Sequence, residues 1–351
     1  MSLKWDFYPV AEFPALKDAW QSVNLLDASS PVLSPEFVAP LLQEFAAGSE
    51  RLAVCRKDSQ TVAMAVLVRR SFAVWETFQP AQAPIGLWLN SPEVNLEELL
   101  QTLLDSLPGY PMLFALTQRD PELWPRPSDR GRIRTMDYVE TGIISLEDSY
   151  QGYWGSRDAQ LRKSVNRRLR QLAEQGIEPR LEAMSNPASV SDAVEQFGRL
   201  ESMGWKGKEG TAVHGSNSQG RFYSSVLEDF CRKGKGFIYR YWFGGAVVAM
   251  QLSIEVGGVE VFLKTTFDEN YRAFGPGILL KRAIIEFLYG EKRVQRIELY
   301  GKLRDYQTKW ISSSKMMYHV NYCRWAGLHR LLELMRAGLR SLPSRNTEAQ
   351  D

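Results

Sequence analysis

The junction Gly275-Pro276-Gly277 is the part of this sequence whose residue types most directly suggest chemistry. It closes a strand-like run and opens an apolar-periodic helix. Glycines on either side free the backbone to turn, and a proline suits the first helical turn, where its missing N–H costs nothing. The amides of Gly277, Ile278 and Leu279 are expected to leave the helix start unpaired. Together with the positive end of the helix dipole they form an anion seat, for which phosphate is the common occupant. The same residues also make a plain hinged helix start, and Arg272 just ahead either pairs with a phosphate or stays solvated. In Arg296-Ile297-Glu298-Leu299-Tyr300 the carboxylate alternates with apolar residues, so Glu298 lies on the strand face opposite Ile297 and Leu299. Burial there raises its pKa toward neutrality, or a basic residue on a neighbouring strand pairs with it. Asp268 suits capping of the turn at Asn270-Tyr271 and, less directly, catalysis.

Positioning such groups requires a large framework. With 351 residues, 44% of them hydrophobic and 24% charged, the chain is long enough for two domains with separate cores and a soluble surface. A net charge of +2 argues against a wholesale nucleic-acid binder. Cys55, Cys231 and Cys323 are odd in number and far apart, offering neither a disulfide framework nor zinc spacing, and His214, His319 and His329 form no cluster. No metal site is expected. Without an apolar run long enough to cross a bilayer, or a leader-like start, the expected location is the cytoplasm.

Periodicity predicts a helix over 34–47 and strands over 51–56, 61–69 and 71–78. A helix over 95–107 and a strand over 111–116 follow, then an irregular connection over 119–134 and a strand over 139–146. The pattern then restarts. A basic helix over 156–175 precedes helices over 190–202 and 220–233, and the glycine pairs Gly244-Gly245 and Gly257-Gly258 separate strands over 236–243, 246–256 and 259–266. After the proline junction come a helix over 277–289, with Lys281, Arg282 and Glu286 outward, a strand over 294–300, a short helix over 305–311 and a strand over 316–325. An amphipathic basic helix over 328–342 and a disordered tail end the chain. The two halves repeat one element order, giving boundaries of 1–149, 150–343 and a tail of 344–351. The first half has a proline-rich bridge where the second has its glycine-rich junction, so the anion seat is expected in the second alone.

This order, and residues along nearly the whole chain, resemble the CelD-like, FemAB-related branch of the GNAT acyltransferases. Ser30-Pro31 with Ser34-Pro35-Glu36-Phe37 resembles its N-terminal segment, and Leu161-Arg162-Lys163-Ser164-Val165-Asn166-Arg167-Arg168 its basic helix. Glu201-Ser202-Met203-Gly204-Trp205-Lys206 is similar to its S-W-K segment, the stretch from Lys264 to Leu280 to its core, and Tyr300-Gly301 through Tyr306 and Trp310 to its closing block. Where that block commonly has lysine after the closing tyrosine this chain has Gln307, with Lys309 two residues on. The resemblance implies an α/β (α+β) chain of two tandem GNAT-type domains, each a mixed, largely antiparallel sheet flanked by helices, the first degenerate.

It also implies acyl transfer from acyl-CoA, acetyl-CoA included, to an amine, often on a sugar in polysaccharide or envelope synthesis. The FemAB relatives use aminoacyl-tRNA instead, and a non-catalytic scaffold in a polysaccharide-making complex is the third option. Such transfer needs a seat for the donor's pyrophosphate, an oxyanion donor, a base and a proton for the thiolate. Under this reading Gly275, Gly277, Ile278, Leu279 and Arg272 seat the donor, and a backbone amide within Leu263 to Thr266, hence around Lys264, Thr265 and Thr266, meets the oxyanion. Glu298 is the first candidate base, Asp268 a lesser one, and Tyr306 the proton donor, with ion pairing, capping and packing as their respective plain roles. Trp205 and Lys206 wall the acceptor, or Trp205 is buried; Lys309 is the displaced basic group. The basic helix, through Arg162 and Arg167, is either a solvated face or an attractor for a nucleotide-sugar, a glycan or tRNA. The C-terminal helix docks on its own domain or lies peripherally on an anionic membrane.

Overall fold

The computed structural model describes residues 2–203 and 213–327. The expectations for Trp205, Lys206, the C-terminal helix and the tail lie outside the described residues.

The first half runs β1 (Lys4–Pro9), α1 (Phe13–Leu26), α2 (Pro35–Phe45), β2 (Arg51–Lys57), β3 (Gln60–Ser71), β4 (Val74–Thr77), β5 (Trp88–Asn90), α3 (Leu96–Ser106), β6 (Leu113–Arg119) and β7 (Ile133–Ser145). The second runs α4 (Tyr150–Ser156), α5 (Ala159–Glu174), β8 (Pro179–Met184), α6 (Val190–Ser202), α7 (Ser218–Arg232), β9 (Gly236–Phe243), β10 (Ala246–Val256), β11 (Val259–Phe267), α8 (Pro276–Glu291), β12 (Arg296–Leu299), α9 (Asp305–Thr308) and β13 (Ser313–Cys323). From β1 and from β8 onward the halves share one order, strand, two helices, three strands, crossover helix, two strands, apart from the extra β5 in the first and the short α9 in the second. The local causes are ordinary. Asn217 accepts from the Gly220 amide at 2.9 Å to start α7. Gly257 and Gly258, at φ of 61° and 80°, make the left-handed turn between β10 and β11.

Several elements left no clear period in the sequence. In β1 only Trp5 is deeply buried, so no alternation shows. β7 starts at Ile133, inside the stretch read as irregular, because its residues from Met136 to Tyr138 are exposed.

All the strands join one sheet, in the order β1-β2-β3-β4-β6-β13-β7-β12-β11-β10-β9-β8, with β5 beside β3. The last strand of each half lies within the partner half's run: β13 pairs with β6 as well as β7, and β7 pairs with β12 as well as β13. One sheet face is covered by α1, α2, α6 and α7 through a core common to both halves, where Phe37 meets Phe222 edge-on at 5.3 Å. The other face carries α3 over the first half and α5 with α8 over the second. No described helix is long and apolar enough to cross a membrane.

Each half has one parallel pair, β4 with β6 and β11 with β12. In the first half the space past this pair is filled. The Thr77 and Thr117 hydroxyls lie 2.7 Å apart, and Gly86 sits so close that a Cβ there would come within 2.4 Å of the Thr117 carbonyl. In the second half the space past the pair is open.

Candidate active site

Pairing between β11 and β12 covers only Val259–Val261 against Arg296–Glu298. β11 then continues to Phe267 held by β10 alone. Opposite Leu252 and Ser253 the register slips, leaving Leu263 as an extra residue in β11. Such a bulge bends its strand and takes a backbone unit out of the ladder. Here it helps β11 swing away from β12. The opening is a cleft of about 380 Å³ lined by Val261 to Leu263 and Tyr300 to Lys302 on one side, and by Gln118, Tyr138, Val139 and the loop from Gln79 to Pro84 of the first half on the other. Tyr223 of α7 completes it.

The start of α8 lies where the sequence placed it but offers fewer amides. Gly275 is left-handed, at φ 60° and ψ 54°, and caps the helix. The Ile278 and Leu279 amides both turn inward and donate to the Gly275 carbonyl, at 3.0 and 3.2 Å. This corrects the expectation of three free amides: only the Gly277 N–H lacks a protein acceptor among the described residues. A tight turn whose cap carbonyl faces along the helix captures the amides that a looser turn would release.

Charge comes instead from side chains. Arg168 of α5 lies against the turn, with its Nε 2.4 Å from where a Gly275 Cβ would be. That Nε has no acceptor, and burial, reinforced by Arg167, pushes the guanidinium's pKa down. Lys281 shares a flank of α8 with Gly277 by its four-residue spacing. It is not outward as expected: it is half-buried 5.9 Å from the Trp310 ring, has no carboxylate partner among the described residues, and burial pulls its pKa down to about 8. Arg282 likewise lies over the Tyr150 and Trp154 rings while pairing with Glu286 at 3.1 Å. Arg272 is 80% exposed and, among the described residues, pairs with Glu269 at 3.7 Å.

The strand residues disperse. Lys264 is held by Glu201 at 3.1 Å and Gln219 at 3.0 Å, toward α6 and α7. Thr265 donates to the Gln251 side chain, and Thr266 is buried opposite Met250. Asp268 accepts from the Asn270 amide at 2.9 Å, which is the capping role. Asp268→Ala is accordingly expected to cost about 1 kcal/mol in chemical denaturation and to leave kcat unchanged; a hundredfold fall in kcat at full stability would make it a catalytic residue instead. Tyr306 is 63% exposed on the surface of α9 and lines no part of the cleft. Lys309 pairs with Asp158, at the start of α5, at 3.7 Å. Arg162 is half-buried with its Nε unpartnered, and Arg167 is exposed.

Glu298 is buried, 1% exposed, behind the residues that line the cleft. Lys315 of β13 approaches its Oε2 at 2.8 Å and Arg296 its Oε1 at 3.2 Å. The Lys315 ammonium points its hydrogen bond at Asp120 Oδ2, 2.7 Å away. The same oxygen accepts from the Tyr300 hydroxyl at 3.1 Å, and Glu122 closes the group 3.7 Å from Lys315. Burial raises the Glu298 pKa, partly countered by Lys315 and Arg296. Burial and then Asp120 and Glu298 hold the Tyr300 pKa well above the usual phenol value. For Lys315 burial acts downward, but Asp120 and Glu298 prevail and raise it. Thus Glu298 has basic partners, Arg296 on its own strand and Lys315 on β13 across the intervening β7, while Tyr300 is the member of this group that reaches the cleft wall. Sequence reasoning missed Asp120, Lys315, Arg168 and Lys281 as site residues. One signal was present: Lys315 stands two residues before buried Met317 in β13, an inward position by strand period.

Residues 159–308 match the family described as Acetyltransferase (GNAT) domain. Among curated proteins none matches the sequence. The solved structures with this fold include the C-terminal domain of a putative lysylphosphatidylglycerol synthetase from Agrobacterium fabrum, 14% identical over 93% of this chain and 96% of that one, at a TM-score of 0.59. A conserved protein of unknown function from Bacteroides thetaiotaomicron is 8% identical over 92% and 99%, at 0.56. FemX is 8% identical over 90% and 98%, at 0.55. The second half of the chain is thus similar to a GNAT domain over residues 159–308, and these structures share its mixed α/β fold along nearly their whole length.

Proposed function

We propose that the protein is an acyltransferase of the CelD-like, FemAB-related kind, moving an acyl group from acyl-CoA to an amine on a carbohydrate acceptor. The observation that carries this reading is the parting of β11 from β12 just past Val261 and Glu298, which opens the cleft between the halves. A thioester arm laid between two diverging strands presents its carbonyl to unpaired backbone, here around the Leu263 bulge. The donor's diphosphate would be held by the Gly277 N–H, Arg168 and Lys281; among the described residues this amide has no acceptor and these cations no carboxylate, which suits such an anion. The acceptor side suits a sugar. Its polar groups are largely uncharged, from Gln79, Gln82 and Gln118, beside the rings of Tyr138 and Tyr300, with Lys302 as the charged lining residue. In the reaction the amine attacks the carbonyl carbon, the C–N bond forms and the C–S bond breaks.

A second reading, aminoacyl transfer from tRNA, is favoured by one feature. The helix start gives a diphosphate a single amide, while α5 exposes Lys163, Arg167 and Arg170 beside it. The solved structures named FemX and lysylphosphatidylglycerol synthetase accord with it. Melting curves with a panel of acyl-CoAs separate the two. Acyl-CoA at 100 times its Kd is expected to stabilise the fold by about 2.7 kcal/mol. No shift with any acyl-CoA, together with tRNA binding that weakens steeply with salt, would replace the first reading by the second.

A further inference from the structure

We propose that Tyr300 is the group through which the acceptor amine loses its proton, and that Asp120 and Lys315, one from each half, are positioning residues that hold it for this task. The proposal rests on the acyl transfer argued above and adds the proton's route.

The route is a chain of contacts from cleft to interior. Tyr300 lines the cleft beside the end of β11. Its hydroxyl donates to Asp120 at 3.1 Å, the same Asp120 oxygen accepts from Lys315 at 2.7 Å, and Lys315 stands 2.8 Å from Glu298. The Lys315 ammonium also lies 5.1 Å from the centre of the Tyr300 ring, fixing the ring from below. Asp120 follows β6, Tyr300 follows β12 and Lys315 is in β13, so the chain closes only when the strands of both halves interleave.

The charges permit proton uptake. Asp120, Glu122 and Glu298 are three carboxylates set against two cations, Lys315 and Arg296, leaving one negative charge in excess. Glu298 is buried with Lys315 2.8 Å and Arg296 3.2 Å from its oxygens, so the excess charge is held in one cluster that a proton can neutralise. The other titratable groups lining the cleft near Tyr300 are Tyr138 of β7, Tyr223 of α7 and Lys302, none of them a carboxylate. An ammonium entering the cleft therefore meets an anionic group through one hydroxyl. As it gives a proton to the Tyr300 oxygen, Tyr300 passes its own to Asp120. The neutral amine attacks, the C–N bond forms and the C–S bond breaks. Of the two protons the ammonium sheds, one leaves through Tyr300 to the carboxylates and then to solvent, and the second ends on the departing thiol.

The test uses the full chain with acetyl-CoA and a panel of amino sugars, following thiol release, with donor affinity measured separately by calorimetry. Tyr300→Phe is expected to lower kcat/KM on the order of 100-fold, to leave acetyl-CoA affinity within about twofold, and to show a smaller deficit as pH rises and more of the amine enters already neutral. Asp120→Asn should show the same pH dependence. Should Asp120→Asn not fold, Tyr300→Phe, which removes only one oxygen, decides alone. A Tyr300→Phe pH profile superimposable on that of the wild type overturns the relay and leaves acyl transfer standing. A wild type that binds no acyl-CoA and acetylates none of the sugars overturns both.

Discussion

Lys315→Met is expected to destabilise the fold by about 3–5 kcal/mol, the usual cost of removing one partner from a buried ion pair. Methionine nearly conserves the volume, so the loss is electrostatic and not a cavity effect. Without the ammonium, Asp120 and Glu298 face each other in the interior with Arg296 as the nearest remaining cation, and Asp120 is left with the Tyr300 hydroxyl and the Glu122 amide. The effect has a pH signature. In the wild type Lys315 has a raised pKa, so its contribution is full below the unfolded value, about 10.5, and is lost as pH climbs through the folded one. The Glu298 pKa is raised by burial, so its charged form opposes folding, and this penalty grows as pH rises above the unfolded carboxylate value. Removing Lys315 takes away the main influence holding Glu298 down. The gap between variant and wild type is therefore expected to narrow as pH falls from 7 toward 5. Urea melts across that range check it. A gap independent of pH, or one below about 1 kcal/mol, would mean that the cluster is solvated and does not bind the halves together. Adding Asp120→Asn and Glu298→Gln to Lys315→Met should recover much of the loss, since uncharged partners no longer need the cation.

Gly277→Glu is expected to reduce acyl-CoA affinity on the order of 100-fold, about 2.7 kcal/mol, with the melting temperature of the free protein nearly unchanged. A carboxylate there would stand beside the one unpaired amide of the helix start and compete for Arg168 and Lys281. The fold should tolerate it. A Cβ at Gly277 meets only Phe267, at an ordinary 3.6 Å, and an acidic residue in the first helical turn is favourable to the dipole. Gly277→Ala is the control, adding the Cβ without the charge. Calorimetric titration of all three proteins decides the matter: equal affinities would remove the donor from this end of α8, whatever else binds in the cleft. Gly275 is a poorer target, because its left-handed backbone and the overlying Arg168 would mix strain with the charge effect.

Much of the local architecture was legible in the sequence because it depends on neighbours along the chain. The glycine pairs forced the hairpins of β9 to β11, and the proline junction began α8 at Pro276. The alternation around Glu298 predicted an inward carboxylate; the expected basic partner came not from an adjacent strand but from Arg296 on its own strand and Lys315 across β7. Asp268 took the capping role that its residue type suggested. Period and propensity also showed that both halves follow one order of elements, and that the first bridges with prolines where the second opens. What the amides of α8 would do was not legible, since one turn geometry releases them and a slightly tighter one captures them.

The sequence by itself determined most of the strands and helices, though not β1, α1, β5, β8 or the start of β7, together with their apolar faces and where a helix start could meet an anion. Tertiary structure alone decided that β7 and β13 would interleave between the halves, and thereby that Asp120 and Lys315, 195 positions apart, would meet under Tyr300. The physical reason is that a strand's alternation specifies which side is buried but not which strand lies beside it. Side-chain chemistry at a site depends on that neighbour: the same glutamate is a surface carboxylate beside water and a member of a proton-accepting cluster beside a buried lysine.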